Sequence, residues 1–147
     1  MAKIPICRMG SQSKVTKVAP PDPHQAHALP LLNVDGVSAA LAQFAAERDW
    51  DPFHSPKNLV MALTGEVGEL NELFQWLSED ASRAVASNPA TATAVRDELA
   101  DVALYLIRLA SVLGVDLNAA VVDKLRKNAE KYPVPKARGN HKKYDQL

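Results

Sequence analysis

Two short segments of the sequence place acidic residues at the spacing that one face of a helix requires. Glu66 and Glu69 are three residues apart, and Glu98 and Asp101 repeat that spacing about thirty residues later. Residues i and i+3 are neighbours on a helix surface, so each segment offers a pair of carboxylates. If the two helices pack together, four carboxylates face one pocket, and hard divalent cations prefer oxygen ligands. The spacing therefore predicts a metal site built on two helices.

The alternative is that these acids are ordinary surface charges that pair with residues one turn away. At about 100° per residue, Glu66 lies within the apolar stripe of its helix, whereas Glu72 points nearly the opposite way. A charge on a covered face costs on the order of several kcal/mol unless it is compensated. This favours metal binding at Glu66 and a solvent-exposed position for Glu72 and Asp97.

The chemistry of the ligand set narrows the choice of metal. An all-oxygen set favours Mg²⁺, with Mn²⁺ as a substitute, over zinc. Neither helix carries the Glu-x-x-His pair that di-iron bundles use, which disfavours redox iron. Mg²⁺ retains water ligands and usually works with substrate phosphates. The number of ions, and which carboxylate positions a water molecule, stay open.

Basic residues near the C-terminus complement such a ligand. Lys124, Asn128 and Lys131 follow one another at i, i+4 and i+7, and Arg138 and Lys143 lie in the tail. They are either a solvated face or a set of groups that holds polyphosphate oxygens opposite the metal.

The few aromatic residues are the candidates for a nucleobase pocket. Trp50 and His54 cluster in a proline-containing loop, Trp76 ends the first carboxylate segment, and Tyr105 follows Asp101 by one turn. They either pack in the core and at helix ends or stack on a base. No Gly-rich phosphate loop and no Ser/His/Asp or Cys/His arrangement occurs, so covalent nucleophilic catalysis has no candidate.

Four helices are predicted to position these residues. Their expected ranges are Val37–Arg48, about Pro56 to Leu77, about Ala94 to Leu113, and Leu117 to about Tyr132. Asp35 or Ser38 is the expected N-cap of the first helix and Asp116 that of the fourth, with Gly114 just after the third. Residues 78–93 are expected to form a loop or a poorly formed turn of helix.

The third predicted helix is apolar on two sides. Its polar strip is narrow and holds Asp97, Asp101 and Arg108. A helix of this kind is central to a bundle or lies in an oligomer interface.

Composition excludes several classes of function. The 147 residues carry 17 basic and 17 acidic side chains, so no global field favours nucleic acid or an acidic membrane surface. No apolar run reaches the roughly 18 residues that span a bilayer. The single Cys7 excludes an intrachain disulfide framework and suits the cytoplasm. The Ala- and Leu-rich apolar stretches predict an all-α, single-domain, soluble protein.

The expected domain organisation has three parts. Residues 1–34 carry several prolines and read as a flexible, disordered N-terminal extension, residues 35–135 as the all-α domain, and residues 136–147 as a basic, extended C-terminal arm. One arginine and the lack of an amphipathic pattern disfavour a targeting peptide in the extension.

Several segments together resemble one known family. They are FAAERDW (Phe44–Trp50), the following F-H-x-P-x-N-L, GEVGELNELFQW (Gly65–Trp76), DELADVALYL (Asp97–Leu106) and KLRKNAEKYP (Lys124–Pro133). In this order they resemble the dCTP pyrophosphatase branch of the MazG-like all-α NTP pyrophosphatases, over roughly residues 37–147.

The resemblance implies a four- to five-helix bundle that oligomerisation completes, as a tetramer built from dimers. It implies Mg²⁺-dependent hydrolysis of a deoxynucleoside triphosphate, most simply dCTP or a 5-modified dCTP, to the monophosphate and pyrophosphate. The implied metal ligands and catalytic carboxylates are Glu66, Glu69, Glu98 and Asp101. The implied substrate-binding positions are Trp50, Trp76, Tyr105, Lys124 and Asn128, followed by Lys131, Tyr132, Arg138 and Lys143, and His54 joins them from the loop.

One departure from the family leaves the base preference open. Relatives that prefer cytosine carry a histidine near the base pocket in the first helix, where this chain has Leu41. The alternatives are a dUTP-directed or broad pyrophosphatase and, as another class, a non-enzymatic helical module that only oligomerises. Nucleic-acid binding by the basic tail is disfavoured by the zero net charge.

Overall fold

The computed structural model describes residues 32–146, which contain helices and no strand. The α-helices are α1 (Val34–Ala46), α2 (Pro56–Glu72), α3 (Glu79–Ala84), α4 (Ala92–Val112), α5 (Leu117–Lys131) and α6 (Val134–Ala137). Two 3₁₀ helices span Asp51–Phe53 and Tyr144–Gln146. The all-α prediction is confirmed. The predicted extension, apart from its last three residues, lies outside the described residues.

No single helix among residues 32–146 is long and apolar enough to cross a membrane. The helices α4 and α5 meet such a test only when taken together as a bent pair, on length and composition alone.

The described residues divide into two compact units, of which the first comprises residues 32–120 and the second residues 121–146. In the first unit, α4 packs against both α2 and α1. The buried apolar residues of this unit come mainly from these three helices and are Leu41, Ala45, Leu59, Val85, Ala92, Val95, Tyr105, Ile107 and Ala110. The core is therefore centred on α4, which is the helix that carries the second pair of acids.

Side chains define where the helices begin. Ser55 Oγ accepts a hydrogen bond from the backbone N–H of Asn58, and Pro56 occupies the first position of α2, as its fixed φ favours. Asp116 accepts from the N–H of Ala119 at the start of α5. The predicted caps of α1 are wrong, because the helix begins earlier and Asn33 accepts from the N–H of Gly36 instead.

Gly114 follows α4 with φ +66° and ends it in the left-handed conformation, as predicted. Asp49 adopts φ +54° in the turn after α1, where aspartate is one of the residue types that tolerate this conformation.

Two segments are more helical than predicted. Within residues 78–93, Ser78 caps α3 and Arg83 pairs with Asp80 one turn earlier, which gives a short helix real local support. The C-terminal arm is not simply extended, because the end of α6 and the second 3₁₀ helix lie within it. Conversely, α2 is shorter than predicted, since it ends at Glu72 and continues as turns through Trp76.

Candidate functional site

The carboxylates of α2 and α4 meet in the first unit. Oxygens of Glu66, Glu69 and Glu98 all lie within 4.8 Å of one another. Glu66 is only 7 % exposed, as its place in the apolar stripe predicted, and the other two are half-buried. Glu72, one turn beyond Glu69, is exposed. Helical phase therefore separates the clustered acids of α2 from the solvated one.

Part of the cluster is shielded from solvent. Oε2 of Glu66 and Oε2 of Glu98 are both inaccessible to water. A buried carboxylate favours its neutral form unless positive charge or hydrogen bonds stabilise the ion. A cation bound at these buried oxygens would be attracted to them with little screening by solvent.

Asp101, the fourth predicted ligand, is half-buried one turn beyond Glu98 but is not part of the three-residue oxygen cluster. Its charge acts on Tyr105, and so does the charge of Glu66. The structure thus brings three of the four predicted ligands together and places the fourth acid near the same tyrosine.

Tyr105 is buried beside these acids. Its pKa is raised above the usual 10.0, first because burial disfavours the phenolate and then because the charges of Glu66 and Asp101 repel it. The phenol is therefore neutral at physiological pH and can donate a hydrogen bond from its O–H.

The donor set fits a hard divalent cation. Oxygens that bind one Mg²⁺ at about 2.1 Å lie about 3 Å apart when adjacent and about 4.2 Å apart when opposite. The separations of at most 4.8 Å between Glu66, Glu69 and Glu98 need only small side-chain adjustments to reach these values. The described residues add no histidine or cysteine to the cluster, which agrees with an oxygen-only site.

Arg108 belongs to the narrow polar strip that the sequence predicts for this helix, but its side chain is not exposed to solvent. It is buried, and its Nη2 contacts Oδ1 of Asp51 at 2.6 Å while its Nε donates to Nδ1 of His54 at 3.2 Å. The cost of burying the guanidinium is offset because it donates hydrogen bonds to two acceptors, one of which is a carboxylate. The position continues the face of α4 that already carries Glu98, Asp101 and Tyr105.

His54 is accordingly held in an unusual environment. Burial lowers its pKa from 6.5, the positive charge of Arg108 lowers it further, and the negative charge of Asp51 opposes both. The ring is neutral at physiological pH. His54 was predicted to bind substrate, and the structure shows that its Nδ1 already has a partner.

Aromatic contacts join α1 to the loop of the first 3₁₀ helix. Trp50 meets Phe44 edge-on at 5.9 Å between ring centroids and His54 at 6.3 Å. Arg48 lies over the opposite end of this row, 3.5 Å from the Phe44 centroid. Trp76 lies in the turns after α2, is 88 % exposed and takes no part in this row of aromatic contacts.

The predicted phosphate-binding residues belong to the second unit. Along α5, Lys124 and Lys131 are exposed and Asn128 is half-buried. Lys131 and Lys143 approach the ring of Tyr144 at 4.9 and 5.9 Å, and Tyr132 meets that ring edge-on. Arg138 follows α6 and is exposed. These residues therefore present a basic and aromatic surface within their own unit.

Sequence reasoning missed the contacts of Arg108 with Asp51 and His54. The available signal was the run Glu98, Asp101, Tyr105, Arg108, whose spacings of three, four and three place all four residues on one helix face. Nothing local connects Arg108 to a loop more than fifty residues earlier in the chain.

Comparisons with known proteins identify the family of this chain. Residues 62–147 match the MazG-like family. The chain is 50 % identical over 106 residues to dCTP pyrophosphatase 1 of Rattus norvegicus and 47 % identical to that of Homo sapiens. Each alignment covers 72 % of this chain and 62 % of the relative, so the chain spans less than two thirds of the length of these relatives.

A solved structure has the same architecture. A pyrophosphatase from Archaeoglobus fulgidus is 36 % identical and superposes with a TM-score of 0.64, over 70 % of this chain and 94 % of that one. The family match covers more than half of this sequence, and the likeness to the solved structure and the two helices with paired acids agree with it. This chain belongs to the MazG-like family.

Proposed function

We propose that this chain is a Mg²⁺-dependent nucleoside triphosphate pyrophosphohydrolase that converts dCTP, and dCTP modified at position 5, to dCMP and pyrophosphate. The observation that carries the proposal is the cluster of Glu66, Glu69 and Glu98 oxygens within 4.8 Å on two packed helices. Relatives at 47 to 50 % identity that are named dCTP pyrophosphatase 1 support the substrate.

Glu66, Glu69 and Glu98, with Asp101, would hold the metal. When bound, Mg²⁺ supplies Lewis-acid polarisation of phosphoryl oxygens and lowers the pKa of a bound water. In the proposed reaction, a water oxygen forms a bond to the α-phosphorus and the bond from that phosphorus to the α,β-bridging oxygen breaks. The proton of the attacking water is taken up by a carboxylate, for which Glu66 or Glu69 is the candidate.

The remaining predicted residues bind the rest of the nucleotide in this proposal. Lys124 and Lys131, with Arg138 and Lys143, neutralise the triphosphate and the departing pyrophosphate, while Asn128 donates to a phosphate oxygen. Trp50, His54, Trp76 and Tyr105 surround the base, and Tyr132 supports the phosphate side. These roles stay proposals, as do Mn²⁺ as a substitute, the homotetramer and the cytoplasmic location.

One feature favours a second candidate within the same reaction class. The buried Leu41 of α1 stands where cytosine-preferring relatives carry a histidine, which removes one polar contact to the base. A pyrophosphatase of broad or dUTP-directed specificity is the expected alternative.

A panel of deoxynucleoside triphosphates tests the proposal. Each of dCTP, 5-methyl-dCTP, dUTP, dTTP, dATP and dGTP is incubated with the protein with Mg²⁺ or with EDTA, and pyrophosphate release is measured. We expect dCTP and 5-methyl-dCTP to have the highest kcat/KM and EDTA to abolish turnover. Higher kcat/KM for dUTP would establish the alternative, and release of orthophosphate in place of pyrophosphate would contradict both.

A non-enzymatic module is a separate outcome of the same panel. It predicts no pyrophosphate release from any nucleotide and no effect of Mg²⁺ on thermal stability. Substitution of Glu66 would then leave every measured property unchanged or raise stability.

A further inference from the structure

The bonds of Arg108 connect α4 to the loop between α1 and α2. This loop, residues 50–54, follows α1 and contains the first 3₁₀ helix. Within its own neighbourhood it is held by the bond from Trp50 N–H to the Ala45 carbonyl and by Asn58 Nδ2, which donates to the Phe53 carbonyl. Arg108 adds the connection to the helix that carries Glu98 and Asp101.

The geometry of the connection suits arginine specifically. The side chain of Arg108 is 10 % exposed and that of Asp51 60 %, so the pair lies at the edge of the core. Two different nitrogens of the same rigid guanidinium bind Asp51 and His54. A lysine offers one nitrogen on a flexible stem and cannot reproduce both bonds.

The bond to His54 also determines the state of the imidazole. Nδ1 accepts a hydrogen from Arg108, so its lone pair points at the guanidinium and the ring proton must reside on Nε2. A protonated ring would place an N–H of its own against the guanidinium. The charged groups that face the ring are Arg108 from α4 and Asp51 from the 3₁₀ helix.

We propose that Arg108 is a positioning residue, which clamps the loop of Trp50 and His54 to α4 and keeps His54 neutral with its proton on Nε2, available to a hydrogen-bond acceptor of the bound nucleotide. The kinetic part of this proposal rests on the proposed function, whereas the state of the imidazole does not. An acceptor such as the carbonyl oxygen of a pyrimidine fits the Nε2–H donor.

The first test is NMR of His54 in the protein without nucleotide, with long-range ¹H–¹⁵N correlations assigned by comparison with His54→Gln. We expect the neutral Nε2–H tautomer in the wild type and a pKa below 6.5. Arg108→Gln should give a mixture of tautomers and a higher pKa, because a cation has been removed. Asp51→Asn should move the pKa in the opposite direction, because an anion has been removed.

The second test is kinetics with dCTP and Mg²⁺. Arg108→Gln, Arg108→Lys and Asp51→Asn are each expected to raise KM about tenfold with kcat within about twofold, because lost ground-state positioning appears in KM. Arg83→Gln is the matched control, since Arg83 also pairs with aspartate but on the surface of α3. Its KM should not change. Circular dichroism identifies any variant that fails to fold. If the Arg108 variants fail to fold, Asp51→Asn still tests the proposal, because Asp51 is the more exposed partner.

The wild type has its own pH signature. Lowering the pH through the titration of His54 should raise KM, since the protonated ring cannot accept from Arg108, and His54→Gln should abolish that rise.

The outcomes separate the two proposals. A wild-type ring protonated on Nδ1, or a tautomer that Arg108→Gln leaves unchanged, would overturn the clamp. A KM unaffected by both Arg108→Gln and Asp51→Asn, or a fall in kcat at constant KM, would overturn the positioning role. If no nucleotide is hydrolysed while the NMR results hold, the proposed function fails, and with it the kinetic role but not the assigned tautomer.

Discussion

Glu66 is the most deeply buried of the three clustered carboxylates. It is 7 % exposed on the face of α2 that packs against α4, and one of its oxygens lies within 4.8 Å of an oxygen of Glu69 and of one of Glu98. Several carboxylates that close together repel one another. A divalent cation offsets this repulsion, so the metal-bound protein should be the more stable form.

Replacing Glu66 with glutamine tests this residue. The amide keeps the size of the side chain but removes a charged ligand, so we expect kcat/KM to fall by more than about 100-fold. The wild type should gain about 2.7 kcal/mol of stability when Mg²⁺ is 100 times its Kd, and Glu66→Gln should lose most of that gain. Thermal denaturation with and without Mg²⁺ measures it.

Glu72→Gln is the matched control, because Glu72 is an exposed acid of the same helix. It should retain both activity and the Mg²⁺-dependent shift. Equal losses in the two variants would contradict the assigned site.

Tyr105 should respond to the metal through its pKa. Because burial and the charges of Glu66 and Asp101 raise the phenol pKa above 10.0, Mg²⁺ at the carboxylates should lower it while burial remains. The absorbance of tyrosinate at alkaline pH, compared between the wild type and Tyr105→Phe, gives this value. A pKa that is indifferent to Mg²⁺ would place the metal elsewhere.

The same shift has a defined effect on stability. A raised folded-state pKa means that the contribution of Tyr105 is complete below pH 10.0 and is lost as the pH rises through the folded-state value. His54 has the opposite sign, since its lowered pKa makes stability fall as the pH drops below 6.5.

At the scale of elements, the helices were predictable because their apolar residues recur at the helical period. Four of the six α-helices in the described part of the chain are those expected, with ends shifted by a few residues. The errors occur where a few local bonds outweigh the apolar pattern. Asn33 caps α1 ahead of the expected residues, and Ser78 with Arg83 supports α3 in a segment that lacks apolar periodicity.

The site was predictable to the extent that it depends on spacing within a helix. Glu66 and Glu69, and the phase of Glu98, follow from the i, i+3 rule and the apolar stripe. The hydrogen bonds of Arg108 to His54 and Asp51 span 54 and 57 positions of the sequence, respectively. Contacts at such separations depend on how the helices pack. A single sequence contains no local signal for them.

Two glycines at helices should respond oppositely to alanine. Gly68 lies in α2 with no atom within 4 Å of an added Cβ, so Gly68→Ala should stabilise by roughly 0.5–1 kcal/mol. Gly114 has φ +66°, so Gly114→Ala should destabilise by about 1–2 kcal/mol. Denaturant unfolding of both variants measures the two effects.

Each glycine variant serves as the control for the other. Destabilisation by Gly68→Ala would mean that something other than the described residues lies against that face of α2.

At the scale of the whole molecule, the outer face of α4 remains apolar and open. Leu99, Leu106 and Leu113 recur every seven residues and are 53, 42 and 54 % exposed. Stripes of this kind mark interaction surfaces more often than solvent-facing ones. The prediction that a second copy covers α4, within a tetramer, therefore stands to be tested.

A charge in the middle of this stripe tests assembly. Leu106→Glu should reduce the oligomer to smaller species, because an isolated carboxylate would be buried at the interface. Light scattering coupled to size-exclusion chromatography gives the mass. Leu32→Glu, at another exposed leucine, should leave the mass unchanged. A wild type that is already monomeric would contradict the prediction.

The burial of Glu66 has a consequence for how this protein can change under selection. The position faces the core, so an apolar side chain there would improve packing in the metal-free chain but remove a carboxylate from the cluster. Variants selected for heat resistance alone should accumulate apolar residues at position 66, and variants selected for turnover should keep glutamate. Parallel selections from one mutant library would therefore diverge first at the residue where folding and metal binding make opposite demands.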